Sequence, residues 1–288
     1  MGVGRSIGSA VAVAPETDTP RRAMGLLEQR VTIGATGLLV VLAAGAWLLT
    51  VRQAGAMSGM VSGLAQIGTG MPNEMAAPLF MAMWLTMMVA MMFPTIAPMV
   101  LAHRMVVRHR GEGWLPTAVF VLGYLAVWTG IGLLPLMVFL GVRNIEAPPS
   151  WLPVLSGAIL IVAGLYQFTP WKGRCLRACQ TPLGFIVTHD FGGGSRSAFS
   201  AGIAHGAFCL GCCWGLMAVL VVLGLMNLVW MAAIAMVFLA EKNWRRGLAL
   251  ARVAGAIVTA LGIAVVLHPE WLSLISGGSP SPGTGGHM

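Results

Sequence analysis

Charged side chains are scarce in this chain of 288 residues: Asp, Glu, Lys and Arg together make up 9%, while 57% of the residues are hydrophobic. Soluble globular domains carry about 25% charged residues, so an ordinary soluble domain is excluded. Several apolar runs reach the roughly 20 residues that cross a bilayer as a helix, and they lack the alternation of a membrane β-barrel. The sequence therefore predicts an all-α, polytopic transmembrane helical bundle.

Acidic residues are particularly few, nine against 17 Lys and Arg, which gives a net charge of +8. In a soluble protein this excess would suggest nucleic acid as a partner. Membrane proteins instead keep Lys and Arg in cytoplasmic loops. Because the basic residues here fall between the apolar runs, we expect membrane lipid and no nucleic acid as a partner.

Hydropathy predicts about seven spans with the N-terminus inside. With that orientation, all of the 17 basic residues except Arg52 and Arg143 lie on the inner side, as the positive-inside rule requires. The 41 uncharged residues of 200–240 are split at the turn-forming segment 224–227; one long helix there would place the basic cluster of 242–252 outside. The predicted spans are 31–50, 78–100, 115–141, 151–169, 199–223, 227–241 and 248–267.

The domain organisation follows from these spans. We predict a mobile cytoplasmic tail over 1–30, a single transmembrane domain over 31–270 and a low-complexity tail over 271–288. The expected localisation is the cell (inner) membrane, as a multi-pass protein. Every charged residue falls in a loop, a tail or a span end, which argues against a transporter that carries charge in mid-membrane.

The span 199–223 carries an unusual set of ligand-type side chains. His205, Cys209, Cys212 and Cys213 fall within an arc of about 100° on a helix. Metal binding, redox chemistry and packing around a hydrogen-bonded histidine are the three interpretations, and metal binding is favoured. The vicinal cysteines are poorly placed for a disulfide, because a helical backbone does not give the required geometry.

Soft sulfur ligands favour Cu(I), with zinc as the alternative metal. The number of methionines favours copper, since seven of them lie in the segment from Met81 to Met99. Packing is the competing explanation for any single methionine. Met88, Met92 and Met217 are the candidate auxiliary ligands. Further methionines in the predicted outer loop are Met57, Met60, Met71 and Met75.

Two other features flank this site. Cys175 and Cys179 form a C-x3-C pair at the predicted inner surface, beside basic residues that favour thiolates; metal capture or redox chemistry and an inert pair are both open. The glycine pairs Gly202/Gly206 and Gly211/Gly215 predict close approach of neighbouring helices.

At these residues the sequence resembles the bacterial "predicted metal-binding integral membrane proteins", a domain family described as copper chaperones, some of which accompany a tyrosinase-like or other copper oxidase. The resemblance covers most of residues 80–245. It implies copper handling, with copper loading of a copper-dependent oxidase or oxygenase as the expected role. The matching positions are Trp84, Met87, Ala90–Met92 and Pro94; Tyr166, Gln167, Thr169, Pro170, Lys172, Cys175 and Cys179; His205, Gly206, Cys209–Trp214 and Met217; Gly224, Met226, Asn227, Trp230 and Met231; and Glu241-Lys242.

The leading hypothesis is a membrane-embedded Cu(I) chaperone or metallation factor that delivers copper to a partner cuproenzyme. The alternatives are an accessory subunit of a membrane-bound copper oxygenase, a thiol–disulfide membrane oxidoreductase and a copper permease. We expect no enzymatic turnover, because no acid–base constellation accompanies the cysteines. Cys175 and Cys179, then the 205–213 cluster, Met217 and the outer-loop methionines suggest a route for copper.

Overall fold

The computed structural model describes residues 19–57, 73–142, 151–182, 184–185, 193–224 and 227–276. Across these residues the chain is helical, with no strand, which confirms the all-α prediction. The helices are α1 (Thr19–Met57), α2 (Asn73–His109), α3 (Leu115–Val142), α4 (Leu152–Tyr166), α5 (Pro170–Gln180), α6 (Ser195–Leu223), α7 (Leu228–Asn243), α8 (Gly247–Leu267) and α9 (Glu270–Ser276).

Five of these helices, α1, α2, α3, α6 and α8, are long and apolar enough to cross a membrane. The pair α4 and α5 qualifies only as one broken span, bent by 63° between Tyr166 and Pro170. α7 has 16 residues, about 24 Å of helix, which is shorter than the roughly 30 Å apolar core of a bilayer. The described residues thus contain five or six candidate spans, and the seven-span topology with an inner N-terminus stays a prediction.

The long uncharged run is broken where the sequence predicted. α6 ends at Leu223, and Gly224 adopts φ +108, a conformation that favours glycine. The Asn227 side chain then accepts hydrogen bonds from the backbone N–H groups of Val229 and Trp230, a standard helix N-cap. This turn sends α7 back along α6.

The helices extend into both predicted tails. α1 begins at Thr19, with Pro20 in its first turn, a position that suits proline, and the residues up to Arg30 are mostly good helix formers. α9 continues to Ser276 at the other end. Residues 1–18 and 277–288, together with Met60 and Met71, lie outside the described residues.

α6 and α2 form the centre of the bundle, since their apolar stretches are 61% and 56% buried against 28% for α1 and α8. The glycines of α6 make this possible. A β-carbon at Gly202 would overlap the Phe120 carbonyl oxygen of α3, and one at Gly206 would lie 2.9 Å from Cγ2 of Val127. Gly211 and Gly215 face the opposite side, toward α5 and α4, so the predicted close approaches are confirmed.

Candidate metal centre

Three cysteines of α6 form a compact sulfur cluster. The Sγ atoms of Cys209, Cys212 and Cys213 all lie within 4.8 Å of one another, and each residue is at most 1% exposed. The spacing of three and four residues on one helix brings them to a shared face, as the periodicity predicted. The vicinal sulfurs are 3.4 Å apart, and all five cysteines of the chain are free thiols.

Cys179 of α5 adds a fourth sulfur to the cluster. Its Sγ lies 3.8 Å from Sγ of Cys212. The hydroxyl of Thr169 accepts a hydrogen bond from the backbone N–H of Lys172, and Pro170 occupies the first turn, so α5 starts sharply after the bend that follows α4. That bend is what brings Cys179 against α6, whereas the sequence predicted that Cys175 and Cys179 lie at the inner surface, beyond a span over 151–169.

The ammonium group of Lys242 lies directly on the cluster. Its Nζ donates to Sγ of Cys209 at 3.1 Å and to Oγ1 of Thr95 at 3.1 Å, and lies 3.9 Å from Sδ of Met92. Lys242 stands near the end of α7 and is only 6% exposed. A buried ammonium in this position can neutralise negative charge on the cluster when a cation is bound by thiolates.

A buried ion pair supports the cluster from the other side. Nζ of Lys172 lies 2.7 Å from Oε2 of Glu241 and donates to the Cys212 carbonyl oxygen at 2.7 Å. Both side chains are at most 1% exposed. The pair fixes α5 and α7 to the backbone of α6 at the cysteines.

These charges correct one sequence inference. Lys172, Glu241 and Lys242 do lie at helix ends, as expected, but the structure buries them instead of placing them at the periphery. The reason is the geometry of the hairpin: α7 is short and runs back along α6, so its end lies beside the middle of α6. Charge within the bundle is therefore present, so an absence of buried charge cannot be used against a transporter.

Both tyrosines of the chain contact the cysteine segment. The Tyr124 hydroxyl of α3 is 3.2 Å from Sγ of Cys209, and the Tyr166 hydroxyl donates to the Gly211 carbonyl oxygen at 2.6 Å. Sequence reasoning missed Tyr124, Thr95 and the role of Lys242. A usable signal was present, because the sequence has only two tyrosines and each is a rare polar group within an apolar run.

His205 lies one turn before Cys209 and is 1% exposed, but it is not part of the group whose ligand atoms lie within 4.8 Å. Its ring is surrounded by aromatic rings: the centroids of Phe120 and Tyr124 are each 6.1 Å away and that of Phe185 is 5.3 Å away. Tyr124 thus contacts both the histidine ring and the Cys209 sulfur.

The candidate methionines take different places. Met88 and Met92 are buried in the core at 1% and 0% exposure, and Met92 reaches the centre through its contact with Lys242. Met217 is also buried and lines a cavity beside α6. Most of the methionines of α2 are core residues, which fits the packing explanation as well as a ligand role.

The cavity beside α6 has a volume of about 590 Å³ and an almost wholly apolar wall. Cys175 lines this cavity, whereas Cys179, on the same helix, contacts the cluster. The cavity wall includes four tryptophans and a tyrosine: Trp84, Trp128, Trp171, Trp214 and Tyr166.

The spacing of the sulfurs suits a thiophilic metal ion. With a metal–sulfur bond of about 2.3 Å, ligand sulfurs stand about 3.8 Å apart in a tetrahedral site and about 4.6 Å apart in a linear one. The Cys212–Cys213 and Cys179–Cys212 sulfur distances are 3.4 and 3.8 Å, and no two sulfurs of the α6 cysteines are more than 4.8 Å apart. These distances are close to those of a metal site. The residues present can therefore hold a soft cation after small side-chain movements.

Comparison with known proteins agrees with this chemistry. The family model for PpoB2, described as a copper chaperone, matches residues 81–265, which is well over half of the chain and includes every residue of the cluster. No curated protein and no solved structure matches. The chain belongs to the PpoB2 copper chaperone family.

Proposed function

We propose that this protein is a membrane-embedded Cu(I) chaperone that holds copper at Cys179, Cys209, Cys212 and Cys213 and delivers it to a partner cuproenzyme. The observation that carries the proposal is the buried four-sulfur cluster with the Lys242 ammonium against it. Chaperoning requires no turnover of its own, which accords with the copper chaperone family.

Charge balance supports Cu(I) over zinc. Burying an unpaired charge in an apolar interior is costly. Cu(I) bound by two thiolates, with the other two cysteines of the cluster as neutral thiols, carries one negative charge, and the ammonium of Lys242 neutralises it. Zn(II) with four thiolates carries two negative charges, of which Lys242 would neutralise only one. Soft thiolates also select Cu(I).

The remaining candidates are proposed as secondary ligands. Met92 lies beside the Lys242 ammonium, and Met217 lies on the cavity side of α6. Met88 and His205 would take part only after a rearrangement, since His205 is held among three aromatic rings and stands outside the sulfur group. We propose that His205 is a transient copper ligand on the route to or from the cluster and not a ligand in the resting site.

Copper analysis of the purified protein tests the proposal. Replacing Cys209, Cys212 and Cys213 together by Ser should abolish copper co-purification, while the wild-type protein retains copper. Ala204→Ser on α6, which removes no sulfur and introduces none, serves as a control for expression and extraction. Unchanged copper content in the triple variant would refute the site.

Delivery is tested separately. The partner we propose is an extracytoplasmic copper oxidase or oxygenase in the cell membrane or beside it. Replacing Met57, Met60, Met71 and Met75 by Leu should lower copper loading of the partner and leave the copper content of this protein unchanged. Loading at the wild-type level would refute the outer-loop step.

A thiol–disulfide oxidoreductase is the second candidate, because the Cys179 and Cys212 sulfurs lie 3.8 Å apart on two different helices. In that reaction the two thiols would release two electrons and two protons to a partner disulfide. Mass spectrometry of alkylated protein after incubation with an oxidised dithiol decides: a Cys179–Cys212 disulfide would support this activity, and fully alkylated thiols would exclude it.

A further inference from the structure

We propose that Cys175 is the exchange ligand through which Cu(I) passes between the buried cluster and the aromatic cavity, where a sulfur ligand of the acceptor takes it up. The inference deepens the proposed function and rests on it. It assigns the cavity as the port of the copper site, and it assigns Cys175 a kinetic role that differs from the storage role of the other four cysteines.

The two cysteines of α5 lie at different places, one at the cavity and one at the cluster. Cys175 and Cys179 are four residues apart, so they share one face of the helix with β-carbons about 6 Å apart. Cys179 reaches the Cys212 sulfur at 3.8 Å, whereas Cys175 is partly exposed and lines the cavity. One turn of a single helix therefore connects the cluster to the cavity.

The Cys175 sulfur packs directly against Gly211 of α6. A β-carbon at this position would lie 2.5 Å from Sγ of Cys175. Only the missing side chain allows the Cys175 sulfur to approach α6, immediately before Cys212. The sulfur thus lies between the cavity and the backbone that carries the cluster.

The size and the apolar wall of the cavity limit which acceptors can enter it. Its volume of about 590 Å³ is within the range of roughly 300–1,000 Å³ typical of small-ligand sites. The wall offers almost no polar surface, and Met217 supplies a thioether on the side of α6. Such a space excludes charged and strongly hydrated acceptors, and it suits a thiol or thioether on an apolar stem.

The exchange itself needs no oxidant or reductant. The Cys175 thiol loses its proton as its sulfur bonds to Cu(I), and the cluster thiolate that releases the metal takes up a proton. The metal stays Cu(I), and the net charge of the site is unchanged. An acceptor thiol then replaces Cys175 in the same way, losing its proton to form the new copper–sulfur bond while the Cys175 thiolate takes one up.

Release kinetics test the port. Detergent-purified, Cu(I)-loaded protein is mixed with excess bathocuproine disulfonate, and formation of the coloured chelate is followed with and without a small thiol. Propanethiol, which is apolar, should accelerate release from the wild type, whereas mercaptoethanesulfonate, similar in size but charged, should not.

The variants separate exchange from storage. Cys175→Ser and Gly211→Ala should keep the wild-type copper content and slow propanethiol-assisted release by about tenfold, the effect of a barrier about 1.4 kcal/mol higher. Ala178→Ser on the same helix should behave as the wild type. Because Cys175→Ser is nearly isosteric, it tests the port even if Gly211→Ala fails to fold.

Three results would overturn the inference. Release from Cys175→Ser at the wild-type rate would remove the exchange role, and loss of copper from Cys175→Ser at equilibrium would make Cys175 a storage ligand. Equal acceleration by the charged thiol would exclude the apolar cavity as the port. A wild-type protein that binds no copper would instead refute the proposed function, and the port with it.

Discussion

The Nζ atom of Lys242 lies 3.1 Å from the Sγ atom of Cys209, and both side chains are buried within the bundle. A thiolate alone at this depth would be strongly destabilised. The ammonium compensates for it, and Thr95 and Met92 hold the ammonium in place. In the proposed copper site, this pair would make a charged metal–thiolate centre tolerable in an apolar environment.

Removing this charge should weaken copper binding. Lys242→Met is expected to lower Cu(I) affinity by up to about a thousandfold, since unit charges about 4 Å apart interact by about 4 kcal/mol at an effective dielectric constant of 20. Competition titration with a Cu(I) chelator measures the effect. Arg245→Met removes the same charge from an exposed position nearby and should leave the affinity unchanged. Equal affinities for the two variants would contradict the role of Lys242.

The hydroxyl of Tyr124 should contribute to affinity more weakly. Hydrogen bonds to charged groups contribute about 1.5–3 kcal/mol, so Tyr124→Phe should weaken Cu(I) binding by roughly tenfold to a hundredfold. Tyr166→Phe is the matched control, because that hydroxyl bonds a carbonyl oxygen and no sulfur. The same titration compares them, and an equal or larger loss in Tyr166→Phe would show that the contact of Tyr124 with Cys209 has no special part.

The ion pair of Lys172 and Glu241 should matter for stability. Glu241→Ala leaves a buried ammonium unpaired and should lower the free energy of unfolding by about 3–5 kcal/mol, whereas replacing both residues by Met and Leu should be far less costly. Reversible denaturation in detergent micelles gives these values. Glu270→Ala, which breaks the exposed pair with His268, should leave stability unchanged. A double variant as unstable as Glu241→Ala would contradict this explanation.

Topology gives a further prediction. With the N-terminus inside and seven spans, a reporter fused after residue 288 should be active only if it functions outside the cytoplasm. A cytoplasmic reporter signal there would reject the seven-span arrangement. In that case the short helix α7 and the broken pair α4–α5 would not both cross the membrane.

Features set by local pattern were predictable from the sequence. The helix break at Gly224–Asn227 followed from the length of the uncharged run and its turn residues, and the shared face of Cys209, Cys212 and Cys213 followed from the helical period. The glycine pairs of α6 also predicted close approach correctly.

Features set by tertiary register were not predictable in this way. The depth of Lys242 depends on how α7 runs back along α6, and the position of Cys179 depends on the bend before Pro170. The hydropathy profile assigned Lys242 and Cys179 to the periphery, because it depends on position along the chain and carries no information on depth within the bundle. Tyr124 and Cys209 contact each other across a separation of 85 residues in sequence, so no local pattern encodes the contact.

The most direct test of the proposed copper site is the Cu K-edge X-ray absorption spectrum of the copper-loaded protein. The proposed function predicts a Cu(I) edge and a first shell composed only of sulfur, at about 2.3 Å, the length of metal–thiolate bonds. Replacing Cys209, Cys212 and Cys213 by Ser should remove this signal. A first shell dominated by nitrogen or oxygen, or the same sulfur shell in the triple variant, would contradict the assignment of the cluster as the copper site.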